Sequence, residues 1–353
     1  MDEGNILEVT DFSVSYGFDD TAVRAVSDVN FTLGTSRVLG VAGESGSGKS
    51  TLVYGLTRLL RAPGVISGGD VTFYLPTQNG PQPFDVLAAS EDDLRSIRWS
   101  HISIVLQSAL SALDPLRRIG REFDEVLRTH DKSMSKAERK KRSVELLAMV
   151  RLDADRLDRF PHELSGGQRQ RVMIAMALAL RPELVIMDEP TTALDVVTQR
   201  EIVSELYELR AKLGFAMIFI THDLSLLVEL ADEIMVMYAG HIIERAPATE
   251  LYQAPRHPYT LGLMDSFPPL HGVREEMTGI PGSPPDLKAL PTGCTFSPRC
   301  PHVMEICRVK VPPLVPIDSD RRLVACWLHD PSVGATVPVE LSKKSTPLAG
   351  KAQ

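Results

Sequence analysis

The sequence predicts an α/β protein: a mixed, largely parallel sheet core with an antiparallel β subdomain near its amino terminus, an inserted helical subdomain, and a small cysteine-rich carboxyl-terminal extension. Three observations predict it. The apolar run 37–42 (RVLGVA) stops at a glycine-rich turn that opens the helix-forming stretch 50–60, the strand–loop–helix unit from which parallel sheets are assembled. Three further short runs, 184–187, 216–220 and 234–237, have the continuous apolar character of strands covered on both faces. Between these regions, long helical stretches dominate residues 91–180, Lys136–Val150 among them, and few strand signals appear.

Residues 6–16 and 22–33 alternate apolar and polar as a half-buried antiparallel pair does, and Val71–Leu75 reads as one more short strand. Residues 76–90 (PTQNGPQPFDVLAAS) are rich in turn formers and read as a surface excursion. From about Gly240 the chain changes character at Pro247, Pro255 and Pro258, and after Phe267 prolines crowd it and the cysteines follow. The expected organisation is a nucleotide-binding core over 5–265 with its helical insertion at about 91–180, an extension over 266–330, and a disordered tail over 331–353.

Lys and Arg number 38 against 46 Asp and Glu, a net charge of −8 that excludes coating nucleic acid through bulk charge. Apolar residues at 43% and charged ones at 24% exclude a disordered or collagen-like chain. No stretch approaches the ~20 apolar residues of a membrane-spanning helix, and the acidic start MDEGNILEVT lacks the order of a signal peptide. The expectation is a soluble, cytosolic chain that meets a membrane only through a partner. The basic run 135–142 carries Glu138 on a predicted helix and reads as a solvated face rather than a nucleic-acid surface.

The chemistry starts at Gly43-Glu44-Ser45-Gly46-Ser47-Gly48-Lys49-Ser50-Thr51, a full G-x-x-x-x-G-K-[ST] loop between strand and helix. Such a loop aims successive N–H groups at phosphate oxygens, with the positive end of the following helix dipole behind them. Lys49 supplies a point charge for the β- and γ-phosphates, and the Ser50 hydroxyl a ligand for Mg²⁺. A second element is the apolar strand that ends in Asp188-Glu189. Carboxylates at the carboxyl end of a parallel strand stand where ligands bind in open α/β sheets; Asp188 is placed to hold Mg²⁺ and Glu189 to polarise an attacking water. A third, Leu164-Ser165-Gly166-Gly167-Gln168, is a second anion cradle at a helix start. One site has little use for two such cradles, so the second is read as closing on nucleotide held by another subunit.

With this LSGGQ string in place, the chain resembles the ATP-binding-cassette ATPases over roughly residues 5–265. The resemblance implies that Tyr16 stacks on adenine (alone it would read as a strand-edge aromatic) and that Lys49, Ser50 and Thr51 serve phosphate and magnesium. It makes Gln107 the glutamine that senses Mg²⁺ and the attacking water. It makes Ser165, Gly166 and Gly167, with Gln168, the cap on the partner's γ-phosphate. Asp188 and Glu189 become the metal and base acids, Ala193-Leu194-Asp195 the loop across the dimer seam, and His222 the switch histidine on the γ-phosphate. Every catalytic position is filled, which implies an active ATPase.

All four cysteines lie in one segment, Cys294, Cys300, Cys307 and Cys326, spaced C-x5-C-x6-C-x18-C. In a reducing compartment the cluster reads as a metal site before disulfides. Structural zinc sites open with closer pairs, and the longer loops here suit a cubane cluster, with zinc as the alternative. This segment, with His257-Pro258-Tyr259-Thr260 and Gly279–Gly282, resembles the extension of oligopeptide/dipeptide-type transport ATPases, which implies a [4Fe–4S] cluster on the four cysteines.

The resemblance further implies an energy-coupling subunit at the cytoplasmic face of the membrane. Its expected partners are a second, homologous ATPase (identical or not), two transmembrane permease subunits and an extracellular binding protein, with no nucleic acid. A groove near Gln107 to Glu125, with Leu110, Leu113 and Leu116, is expected to seat a short helix of the membrane partner. The expected cargo is di- or oligopeptides. The stretch QSALSALDP at Gln107 departs from the Q-D-P-x-x-S-L-N-P form of the peptide branch and keeps oligosaccharides open, as the subfamily does nickel. Readings of other classes are a soluble cassette ATPase acting on nucleic acid or ribosomes, and a redox module for which ATP is only a ligand.

Overall fold

A computed structural model of the chain describes residues 4–18, 22–107, 113–192, 194–266 and 279–342. Strands β1 (Asn5–Tyr16), β2 (Val23–Gly34) and β3 (Val38–Ala42) lead into helix α1 (Lys49–Leu56). Then come β4 (Gly64–Leu75), β5 (Gln82–Asp85), α2 (Glu91–Ile97), β6 (Ile102–Val105), α3 (Ile119–His130), α4 (Lys136–Met149) and α5 (Gly166–Ala177). Strand and helix alternate through β7 (Leu184–Asp188), α6 (Val196–Leu213), β8 (Ala216–Ile220), α7 (Leu224–Leu230), β9 (Glu233–Tyr238) and β10 (His241–Pro247). The chain closes with α8 (Ala248–Gln253), α9 (Pro258–Asp265), α10 (Glu305–Val309), β11 (Val315–Ile317) and β12 (Ser319–Val324). No helix among the described residues is long and apolar enough to cross a membrane.

The described residues divide into two compact units. The first takes the chain up to residue 8, residues 31–38 and residues 70–220. Its centre is three parallel strands, β6 beside β7 beside β8, in register Ile102↔Leu184↔Ala216. Every residue of β7 and β8 is buried, which is why β8, and β7 as far as Met187, are continuous apolar runs rather than alternating ones. Helix α3 buries Ile119, Phe123 and Leu127, one stripe at helical spacing, and α4 packs between it and α5.

Sequence and structure differ here in three ways. The strand β6 stands inside the stretch expected to be helical; four residues among helix formers leave too short a signal to read. A strand, β5, pairs with β4 (Thr72↔Asp85) inside the expected surface excursion. The basic run is only partly a solvated face: the Arg139 Nε donates to Asp124 at 2.6 Å and Arg142 caps the carbonyls of Ala179 and Leu178, so two of its cations tie α4 to the protein.

The second unit takes residues 9–30, 39–69 and 221 onward. Here β3 runs parallel to β9 (Leu39↔Glu233, Ala42↔Val236), and β9 turns back antiparallel into β10. Strands β1 and β2 are joined by Asp11 N–H to the Asn30 side chain and Asp28 N–H to the Ser13 hydroxyl, each 2.9 Å. The helix α1 stops at Leu56 rather than near residue 60, because Arg58 takes a left-handed backbone (φ 51°) that no helix continues through.

The described part of the cysteine-rich extension falls within this same compact unit. Its strand β12 pairs with β10 (Glu244↔Val324) and with β11 (Val315↔Val324), so it lengthens the same sheet. Of the expected disordered tail, residues 331–342 carry a short turn at Val339–Leu341 whose Leu341 is fully buried, with the Leu341 carbonyl accepting from Arg256 at 2.8 Å. Residues 343–353, Leu110 of the expected groove and Ala193 of the seam loop lie outside the described residues.

Candidate nucleotide site

The phosphate loop hangs between β3, wholly buried, and the first turn of α1. Gly48 is the N-cap of α1 with φ 104°, and a Cβ there would stand 2.3 Å from the Ala25 carbonyl oxygen. Only glycine fits a position that is both left-handed and pressed against backbone. Lys49 is buried, and its Nζ donates to the carbonyls of Gly43 (2.7 Å) and Glu44 (2.8 Å). The Ser47 carbonyl accepts from Gly240 N–H at 3.0 Å, so the loop is anchored from outside as well as from within. The Tyr16 hydroxyl lies 3.3 Å from the Thr51 hydroxyl, which sets its ring beside the start of α1. His222 belongs to this second unit too, exposed after β8, while the neighbouring Asp223 caps α7 by accepting from Ser225 N–H.

In the first unit, Asp188 ends β7 fully buried. Glu189 follows with φ 46°, a left-handed backbone that costs a non-glycine residue about 1–3 kcal/mol and clusters at functional sites. Its Oε2 accepts from the Gln107 Nε2 at 2.8 Å and from the Thr192 hydroxyl at 3.0 Å. Thr192 is a contact that the sequence reading missed; a hydroxyl three residues after an acid at a strand end was the available signal.

Ser165 caps α5, accepting from Gln168 N–H while the Gln168 side chain accepts from Ser165 N–H, a reciprocal pair that fixes the start of the glycine-rich cradle. The cradle meets the seam loop. A Cβ on Gly167 would stand 2.7 Å from the Thr198 methyl, and the Thr198 hydroxyl and N–H both bind the Asp195 carboxylate. Those bonds from Thr198 hold the Asp195 carboxyl below its ordinary pKa and cap α6. The first unit thus gathers Gln107 with Glu189, and Gly167 with Asp195.

The four cysteines are all free thiols. Among the described residues, no group of three or more His, Cys, Asp or Glu side chains is placed to hold a metal ion, so the expected cluster ligands do not form a metal site as they stand. They are nonetheless neighbours. Burial, with smaller contributions from the other thiols, pushes Cys300 up to about 11 and Cys326 to about 12, and burial raises Cys294 as well.

Comparison with known proteins matches this geometry to a family. Residues 26–192 fit the family described as ABC transporter, and residues 243–307 the one described as oligopeptide/dipeptide transporter, C-terminal region. The oligopeptide transport ATP-binding protein OppD of Salmonella typhimurium (strain LT2) is 46% identical over 324 residues, 91% of this chain and 93% of the relative. OppD of Bacillus subtilis (strain 168) is 40% identical over 342 residues, 96% of this chain and 93% of the relative. Among solved structures, the dimeric bacterial ABC transporter cassette MJ0796 aligns with a TM-score of 0.60 at 28% identity, covering 69% of this chain and 98% of that one. The same cassette in a dimeric post-hydrolysis state bound to ADP and Pi gives 0.59.

The chain belongs to the ATP-binding proteins of the ABC transporters, in the oligopeptide/dipeptide transporter family. It has the ATP-binding-cassette fold with its antiparallel β subdomain, and it is an ATPase that hydrolyses ATP to energise transport.

Proposed function

We propose that this ATPase energises the import of oligopeptides, pairing with a second cassette beneath two permease subunits at the cytoplasmic face of the membrane. One observation carries the reading: the acid after β7, Glu189, oriented by Gln107, stands in a chain whose 243–307 segment matches the oligopeptide/dipeptide transporter region.

In this reading Gly43–Thr51 wraps the phosphates of ATP, Lys49 leaving its loop carbonyls to meet the β/γ-oxygens, and Tyr16 stacks on the adenine. Ser50, Asp188 and Gln107 offer hard oxygen donors, a set that suits Mg²⁺, which takes few protein ligands and completes its shell with phosphate and water. When bound, that ion would neutralise charge on the β- and γ-phosphates. Glu189 accepts the proton of the attacking water, and His222 holds the γ-phosphate. Ser165, Gly166, Gly167 and Gln168 close on ATP bound by the second cassette, and Asp195, tied to the same cradle through Thr198, lines the seam. Closure of the two cassettes moves the permeases, and hydrolysis resets them. That the MJ0796 cassette is dimeric in its solved structures supports the pairing of two cassettes.

The four cysteines belong to the proposal as ligands of a [4Fe–4S] cluster, with zinc as the competing outcome. Its support is that every cysteine of the chain lies in one segment, Cys307 buried and the other three half-buried, where each thiol neighbours others; a cluster requires them to draw closer than they stand. Anaerobically prepared protein should be brown with a broad visible band. A colourless protein holding stoichiometric zinc would assign zinc, and one holding neither metal would remove the site.

The cargo is tested by reconstituting the transporter in vesicles with its binding protein. Stimulation of ATP hydrolysis by peptide-loaded binding protein is expected. Stimulation by oligosaccharide or nickel alone overturns the peptide assignment, and stimulation by nucleic acid without the permeases overturns the importer reading.

A further inference from the structure

An acidic residue inside a phosphate cradle is a liability, since a bare carboxylate opposes the charge the loop is built to attract. Glu44 is such a residue, and the structure gives it a counter-ion from 255 positions away. The Arg299 Nη1 meets the Glu44 Oε2 at 2.6 Å and its Nη2 meets Oε1 at 3.0 Å, a two-point pair with only 5% of the arginine side chain exposed. The remaining guanidinium nitrogen is used as well: Nε donates to the Pro281 carbonyl at 2.8 Å. Glu44 is held at its backbone too. Its N–H donates to the hydroxyl of fully buried Tyr259 at 2.8 Å, and its carbonyl accepts from Lys49. Phe296, from the same segment as Arg299, packs edge-on against Tyr238 and Tyr259 at ring-centre distances of 5.3 and 5.4 Å.

We infer that Arg299, with Tyr259, is a positioning residue of the ATP site: it neutralises Glu44 and fixes the entrance of the phosphate loop, making the segment between Cys294 and Cys300 a structural part of nucleotide binding. The inference rests on the assignment of Gly43–Thr51 to ATP phosphates. A two-point arginine–carboxylate pair fixes direction as well as charge, and a loop already held in its binding shape loses less freedom when the ligand arrives. Removing the arginine leaves Glu44 as an uncompensated charge in the cradle, so the penalty falls on ATP binding rather than on bond cleavage.

The test is a double-mutant cycle on ATP hydrolysis by the transporter carrying the full chain. Arg299→Met should raise the KM for ATP by about tenfold while kcat changes by less than about threefold. In a Glu44→Gln background the same Arg299→Met change should move KM by less than about threefold, because the charge it compensates is gone. Arg299→Lys should restore part of the loss by keeping the charge without the fork. If Arg299→Met lowers protein yield, Tyr259→Phe gives a second readout: it deletes only the hydroxyl that accepts from Glu44 N–H, and KM should rise by about threefold. An unchanged KM in either Arg299→Met or Tyr259→Phe overturns the inference, as does an Arg299→Met effect of equal size with and without Glu44. A wild-type transporter that shows no saturable ATP hydrolysis would instead remove the site assignment itself.

Discussion

Gln107 and Glu189 meet side chain to side chain, the glutamine amide donating to the carboxylate at 2.8 Å. With the Thr192 hydroxyl on the same oxygen, the carboxylate is aimed by two neutral donors. Holding the carboxylate in one direction suits the role of general base proposed for Glu189.

Glu189→Gln keeps an oxygen acceptor where Gln107 and Thr192 need one and removes the base. The turnover of ATP should fall roughly a hundred- to a thousandfold, with ATP affinity held within about threefold. Phosphate release and equilibrium nucleotide binding measure the two separately; a variant that still turns over within a few-fold of wild type excludes Glu189 as the base.

Two glycines of the phosphate loop share a left-handed backbone but differ in surroundings. Gly48 faces the Ala25 carbonyl at 2.3 Å from an added Cβ, whereas around Gly46 (φ 81°) nothing stands within 4 Å. Gly48→Ala therefore combines strain with collision and should weaken ATP binding by more than about tenfold, against a milder loss for Gly46→Ala that reflects strain alone, on the order of 1 kcal/mol. Titration with a fluorescent nucleotide ranks them, and the reverse order would refute the steric account.

His257 predicts a pH dependence of stability. Burial lowers its pKa to about 3 from an ordinary 6.5, with nearby His329 adding to the effect. Because the folded value lies below the unfolded one, the unfolded chain binds the proton more readily. The stability concerned is complete above about pH 6.5 and is lost as pH falls toward 3, at about 1.4 kcal/mol per pH unit. His257→Asn can keep the acceptor that Tyr259 N–H uses while removing the ionisation. Urea midpoints compared at about pH 6 and about pH 5 should separate by less in the variant than in wild type; parallel curves would dismiss His257 as the titrating group.

Of the three leucines expected to receive the membrane partner, Leu113 is buried in its own protein at 4% exposure, and Leu116 is 85% exposed. Leu116→Asp should leave melting temperature and basal ATP hydrolysis within error of wild type and reduce cargo uptake several-fold in vesicles. Normal uptake would move the docking surface elsewhere.

The parts of the site legible in the sequence are those in which chemistry is local. Gly43–Thr51, Ser165–Gln168 and Asp188-Glu189 are each a contiguous string whose backbone demands leave a pattern, and β7 and β8 announce themselves because burial on both faces favours apolar residues, in β7 as far as Met187. The Arg299–Glu44 pair leaves no such trace, since neither residue constrains its neighbours and 255 positions separate them. β6 was hidden by its length, and the first half of β4 by three glycines that break apolar alternation. Reading Arg139 and Arg142 as a solvated face failed because charge composition does not reveal which cations turn inward to cap carbonyls.

The pairing of β12 onto β10 bears on how this ATPase could be shortened. A chain cut after α9 would bare a row of amide and carbonyl groups along β10, a template on which other molecules zip up and precipitate. In the intact protein that ladder is finished by β11, only three residues long and interrupted by Pro316, which has no N–H to offer. The carboxyl-terminal segment thereby covers an edge along which copies of the chain would otherwise zip together.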